Sequence, residues 1–196
     1  MFNSAHFLPK ILIGSVLAVV AAVSHAAVLY QDLTPTGAIA SPGSIAASFA
    51  TGAGAGSMTF QIQGYLSLDG VNCCTDTFTL DLDGTTLFQG SFNLGGGGTN
   101  TVFADPNGAT FSAVTPGLWG GGTLDVFLPV NFIAGLHTLT FSYSGADQGL
   151  GDEGWGLNHV TVEGPLHSDI PEPATMALLG LGLLGTIATR RRRTRN

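Results

Sequence analysis

The stretch Thr77-Phe78-Thr79-Leu80-Asp81-Leu82-Asp83-Gly84-Thr85-Thr86 puts a large apolar residue at every second position and ends the run on an Asp-Gly pair. Side chains of an extended chain point alternately to opposite faces, so Phe78, Leu80 and Leu82 share one face while Thr79 and Asp81 take the other. Asp-Gly tolerates the positive φ angles of a two-residue turn, which makes Asp83-Gly84 a tight hairpin between two strands. The same period recurs on both sides: Phe60 and Ile62 with Leu66 and Leu68 beyond Gly64, then Leu124, Val126 and Leu128, then Leu139, Phe141 and Tyr143, then Val160 and Val162. Thr and Ser fill many of the opposite positions, and Gly95 to Gly98 and Gly120 to Gly122 read as wider loops. No stretch from 27 to 170 has a 3.6-residue period. The expectation is an all-β chain, an antiparallel β-sandwich of jelly-roll style over residues 58–164. Residues 27–57, rich in Ala, Gly, Ser, Thr and Pro, read as a flexible arm with one edge strand near Ile45 to Phe49, and residues 165–170 as a linker.

Charge narrows the class of partner. Residues 27–170 contain no Lys or Arg and twelve carboxylates, Asp32 to Asp169, so this region carries −12 against −7 for the whole 196-residue chain. Nucleic acid is excluded as its partner, because binding requires cations that neutralise phosphates and release counterions. Phosphorylated substrates are disfavoured for the same reason. A length of 144 residues suits one domain with a sizeable core.

Both ends of the chain are apolar. Lys10 precedes the uncharged run 11–23, and Ser24-His25-Ala26 then presents small residues at its first and third positions. This predicts a signal peptide over 1–26, cut by signal peptidase between Ala26 and Ala27. At the other end, residues 174–189 carry no charge and are followed by Arg190, Arg191, Arg192, Arg193 and Arg195. That order predicts a single C-terminal transmembrane helix whose arginines stay on the cytoplasmic side and snorkel to the interface. Pro171-Glu172-Pro173 fixes an extended backbone just before it, accessible to a protease.

Tripeptide, short glycine-rich apolar segment and arginine cluster, in that order over residues 171–196, resemble the PEP-CTERM sorting signal of Gram-negative bacteria. The resemblance implies an exosortase as partner and a C-terminal membrane anchor that is removed in sorting. It also implies a cell-surface or extracellular destination, with a role linked to exopolysaccharide and biofilm.

Candidate chemistry is sparse. Cys73 and Cys74 are adjacent, and in an oxidising compartment they can close a vicinal disulfide at a turn, remain free or redox-active, or pair between chains. Asp69, Asp76, Asp81 and Asp83 flank the first hairpin, while Asp147, Asp152 and Glu153 stand in a glycine-rich loop; oxygen ligands on loops suit calcium, although no EF-hand or RTX-like spacing is present. Trp119 and Trp155 each sit among glycines, and each is either a core residue or a platform on which a sugar ring stacks. The stretch 151–164 resembles the closing strand of β-sandwich ectodomains common on PEP-CTERM proteins. No nucleophile elbow, zinc-protease helix or phosphate loop is present, and His137, His159 and His167 are scattered. The expected role is therefore a non-enzymatic surface or matrix protein without a required cofactor. A carbohydrate-binding module is one alternative, and adhesion to ice or mineral through a threonine face at Thr75, Thr77 and Thr79 is another.

Overall fold

A computed structural model describes residues 26–167, all of whose regular elements are strands. They are β1 (Ala27–Asp32), β2 (Ile39–Ala40), β3 (Gly43–Thr51), β4 (Gly54–Leu66), β5 (Leu68–Asp69), β6 (Thr77–Leu82), β7 (Thr85–Ser91), β8 (Gly95–Gly97), β9 (Thr101–Ala104), β10 (Thr110–Val114), β11 (Gly122–Phe132), β12 (Gly135–Ser144) and β13 (Glu153–Gly164). One sheet runs β1-β13-β4-β11-β10, with β2 also on β13, and the other runs β3-β12-β6-β7-β9. Every pairing in these two sheets is antiparallel; the short β5–β8 pair is parallel.

The core lies between the sheets. Met58, Phe60 and Ile62 of β4 and Leu124, Val126, Leu128 and Val130 of β11 face Phe78 and Leu80 of β6 and Leu139, Phe141 and Tyr143 of β12. Phe60 bridges the layers, its ring centroid 5.3 Å from Phe141 and 5.8 Å from Phe78. With the exception of Leu66, the apolar positions read from the sequence are thus the inward ones, and full burial of each such side chain stabilises by about 1.5–3 kcal/mol. Asp83 and Gly84 form the hairpin turn between β6 and β7 with φ of 52° and 77°, the positive values that Asp-Gly supplies.

The structure departs from expectation at four places. Residues 27–57 are no loose arm: they form β1, β2, β3 and the start of β4. In β3 the inward Ile45, Ala47 and Phe49 alternate with exposed Ser44, Ala46, Ser48 and Ala50, a true strand period whose small residues give little hydropathy contrast. Leu66 does not share a face with Leu68, because its φ of 63° turns the chain and leaves it exposed. A bulge between Leu157 and Val160 brings both inward, so alternation fails there although the strand continues. Finally, Gly95–Gly97 is strand β8 and not an open loop.

The outer face of the second sheet is a field of small hydroxyl and methyl groups. Thr138, Thr140 and Ser142 of β12 stand opposite Ser48, Ala46 and Ser44 of β3, and Ser142 and Ser144 stand opposite Thr79 and Thr77 of β6. Thr75 is not part of it: it sits in the loop before β6, where its hydroxyl donates to the Asn72 carbonyl. The expected signal peptide, transmembrane helix, Pro171-Glu172-Pro173 and arginine cluster lie outside the described residues, apart from Ala26 and Ala27, where β1 begins.

Candidate functional site

Three connections meet at one end of the sandwich: β5 to β6 (residues 70–76), β10 to β11 (115–121) and β12 to β13 (145–152). Asp69 closes β5, Asp76 immediately precedes β6 and Glu153 opens β13. Each is therefore fixed by a strand end rather than carried on a free loop. One carboxylate oxygen from each of the three lies within 4.8 Å of the other two.

Local hydrogen bonds explain how the chain reaches this arrangement. The Asp69 amide donates to Asp76 Oδ2 at 2.9 Å and the Asp76 amide donates to the Asp69 carbonyl at 3.3 Å, which ties both ends of the β5–β6 loop. Asn72 Nδ2 donates to Asp69 Oδ1, and Gln148 Nε2 to Glu153 Oε1. Ser67 Oγ donates to Asp152 Oδ1 and its amide to the Asp152 carbonyl, fastening the β12–β13 loop to the end of β4. Two glycines permit the crowding: a Cβ at Gly145 would lie 2.0 Å from Asp76 Oδ1, and one at Gly96 would lie 2.6 Å from Asp69 Cγ.

The electrostatics are those of buried like charges. Asp76 and Glu153 are both 0% exposed. Burial pushes the Asp76 carboxyl up to about 6, with the Asp69 amide bond opposing and the Asp69 charge adding to the rise. Burial likewise pushes Glu153 up to about 7, with the charges of Asp76, Asp152 and Asp69 acting in the same direction. Behind them the buried Tyr143 hydroxyl is raised far above the usual phenol range, by burial and then by the Asp76 charge. Asp76 Oδ1, Glu153 Oε2, Tyr143 Oη and Trp155 Nε1 are buried with no hydrogen-bond partner.

Toward solvent the cluster opens into a pocket of about 150 Å³ lined by Ser67, Asp69, Cys74, Gly96, Trp119, Gln148 and Asp152. Trp119 is 60% exposed, with φ of 61° and its amide donating to the Gly95 carbonyl at 2.8 Å. Trp155, by contrast, is 0% exposed and packs 5.6 Å from Tyr143. It is a core residue, because the strand phase that buries Leu157 buries Trp155 too, and as a sugar platform it is ruled out.

Cys73 and Cys74 are exposed free thiols with Sγ atoms 2.9 Å apart, so the vicinal disulfide is not formed in this structure. A hydrogen bond with Cys73 pushes the Cys74 thiol up to about 11, the opposite of an activated thiolate.

Of the loop carboxylates singled out in the sequence, Glu153 belongs to the buried cluster and Asp152 to the pocket, whereas exposed Asp147 joins neither. Asp81 accepts from Thr86 Oγ1, and Asp83 pairs with His137 at 2.6 Å. The assembly of Asp69 and Asp76 with Glu153 is not readable from spacing, because it depends on β6 pairing with β12 and on the chain returning through β13.

A second concavity, a groove of about 440 Å³, crosses the outer face of the first sheet. It is lined by Thr59, Phe111, Asp125, Phe127 and His159 among others. Phe127 is exposed there, beside the Gln61 to Asp125 hydrogen bond.

The model of the PEP-CTERM protein-sorting motif matches residues 169–193. The chain is thus an exported protein sorted by an exosortase, with a C-terminal membrane-anchor region that the enzyme processes. No curated protein matches it. Among solved structures it is similar to a Paenibacillus sp. cycloisomaltooligosaccharide glucanotransferase complexed with cycloisomaltoheptaose, at 16% identity and a TM-score of 0.35, over 70% of this chain and 17% of that one. It is also similar to the EclA C-terminal domain, a sugar-binding protein, at 13% identity and a TM-score of 0.30, over 76% of this chain and 85% of that one. This chain spans under a fifth of the glucanotransferase.

Proposed function

We propose that this is a non-enzymatic surface or matrix protein whose sandwich end binds extracellular polysaccharide. The observation that carries the reading is Trp119, exposed at the rim of a pocket whose other side chains include Asp69, Asp152, Gln148 and Ser67. An indole face offers a sugar ring apolar contact, and carboxylate and amide oxygens accept from its hydroxyls. A pocket lining without histidine and the full burial of Asp76 and Glu153 support the non-enzymatic reading. Export with an exosortase-type signal supports a role among exopolysaccharides and in biofilm, at the surface or after release from it.

The sheet groove supports a second reading, since exposed Phe127 beside Asp125 and His159 also pairs an aromatic face with polar groups. Binding of the full chain to purified exopolysaccharide, measured by sedimentation with Trp119→Ala and Phe127→Ala variants, separates the two. Loss of at least about tenfold on Trp119→Ala, roughly 1.4 kcal/mol, with Phe127→Ala unchanged, is the expected result. The reverse pattern moves the site to the sheet face, and no binding by the unaltered protein removes the polysaccharide reading.

A further inference from the structure

We propose that Asp69, Asp76 and Glu153 bind one Ca²⁺ ion beneath the floor of the loop-end pocket. Three carboxylates taken out of water need either neutralisation or a partner of opposite charge. Residues 26–167 contain no Lys or Arg, and His137, the buried histidine, is already paired with Asp83. No side chain among the described residues therefore supplies a compensating full positive charge to this cluster.

Two further observations point to an ion. Asp76 Oδ1 and Glu153 Oε2, both on side chains with 0% exposure, have no N–H or hydroxyl donor and only each other's carboxyl as a partner, although the other oxygen of each carboxylate accepts a hydrogen bond. The Tyr143 hydroxyl, outside the acidic group but within reach of the Asp76 charge, is likewise buried and unpartnered. Gly145 and Gly96 add room of an unusual kind, since any side chain there would press into Asp76 or Asp69.

The donor set is all oxygen, which favours a hard cation over zinc or copper. Calcium takes six to eight oxygens in adaptable geometry, and Asp69 reaches the solvent pocket, where water completes the shell. An ion in this position joins the end of β5, the start of β6 and the start of β13. The site requires no sugar and stands or falls separately from polysaccharide binding.

The test is a titration of the full chain, purified in detergent and stripped with chelator, using Tb³⁺ luminescence sensitised by Trp155 and Tyr143, followed by displacement with Ca²⁺. The expected result is saturable emission at one site, displaced by Ca²⁺, and a melting temperature that rises with Ca²⁺ up to about millimolar, the range of extracellular modules. Glu153→Gln and Asp76→Asn should each weaken Ca²⁺ binding at least tenfold, while Asp147→Asn leaves it unchanged. The amide variants also carry a signature that a purely packing role would not give: without Ca²⁺ they melt at or above the unaltered protein, because a like charge has gone. Absence of displaceable emission and of any Ca²⁺-dependent melting shift in the unaltered protein overturns the proposal, and needs no variant to fold. Equal binding by unaltered and Glu153→Gln protein also overturns it, since the ion would then lie elsewhere.

Discussion

Trp119 is largely exposed and Trp155 fully buried, which makes the chain's two indoles separately addressable. Acrylamide should quench a surface population that disappears in Trp119→Phe and leave a protected one that disappears in Trp155→Phe; stability should change by under about 0.5 kcal/mol in the first and by about 1–3 kcal/mol in the second. His137 offers a pH test. Burial of its ring opposes charging, but the Asp83 carboxylate and the Ile133 carbonyl outweigh it, and its pKa is raised above 6.5. Asp83 is lowered below 3.8, chiefly by the Thr138 amide and then by His137. The histidine's contribution is full below its unfolded pKa and is lost as pH rises through the folded one; that of Asp83 holds above its unfolded pKa and fades as pH falls through the folded value. His137→Gln should therefore cost most in melting temperature at about pH 5 and least at about pH 9, as thermal melts at the two pH values would show. The sequence offered His137 only as one of three scattered histidines and left both tryptophans undecided, since burial of a single ring depends on strand phase, and Gly156 and the bulge beyond Leu157 obscure that phase around Trp155.

Strands were legible where alternating residues differ strongly in size and polarity. The runs through Phe60, Phe78, Leu124 and Phe141 became β4, β6, β11 and β12 with the expected side inward, and Asp83-Gly84 became the turn. β3 was legible only as an edge strand near Ile45 to Phe49, because its Ala, Ser and Gly give little contrast, and β1 not at all, because its apolar residues Ala27 to Tyr30 are consecutive instead of alternating. A consequence separates an arm from a structural pair of strands. Deleting residues 27–51 removes β1, β2 and β3, uncovering the outer sides of β13 and β12, and should abolish the cooperative thermal transition seen by circular dichroism; a mere arm would be dispensable. In the centre, Phe60→Ala should cost about 3–5 kcal/mol in denaturant unfolding, since its ring contacts both Phe78 and Phe141 across the sheets.

At the scale of the molecule, the sorting motif, matched at residues 169–193, could be read from the sequence because it is local: tripeptide, apolar run and arginines are contiguous. The acidic cluster could not, since Asp69 and Glu153 come from opposite halves of the domain and meet only when β13 closes against β4. Their placement fixes how the protein is presented. Gly164, where the chain leaves for the sorting motif, pairs with Ala27 at one end of β13, and Glu153 pairs with Leu66 at the other. At roughly 3.3 Å per residue the pocket stands about 35 Å from that exit. Trp119 therefore faces away from the end that leads to the anchor. Bonded along both flanks, β13 also decides how the domain takes tension. When a ligand grips the far end while the tail is held, the pull runs lengthwise along this strand, and its ladders to β1 and β4 resist together in shear instead of peeling one rung at a time.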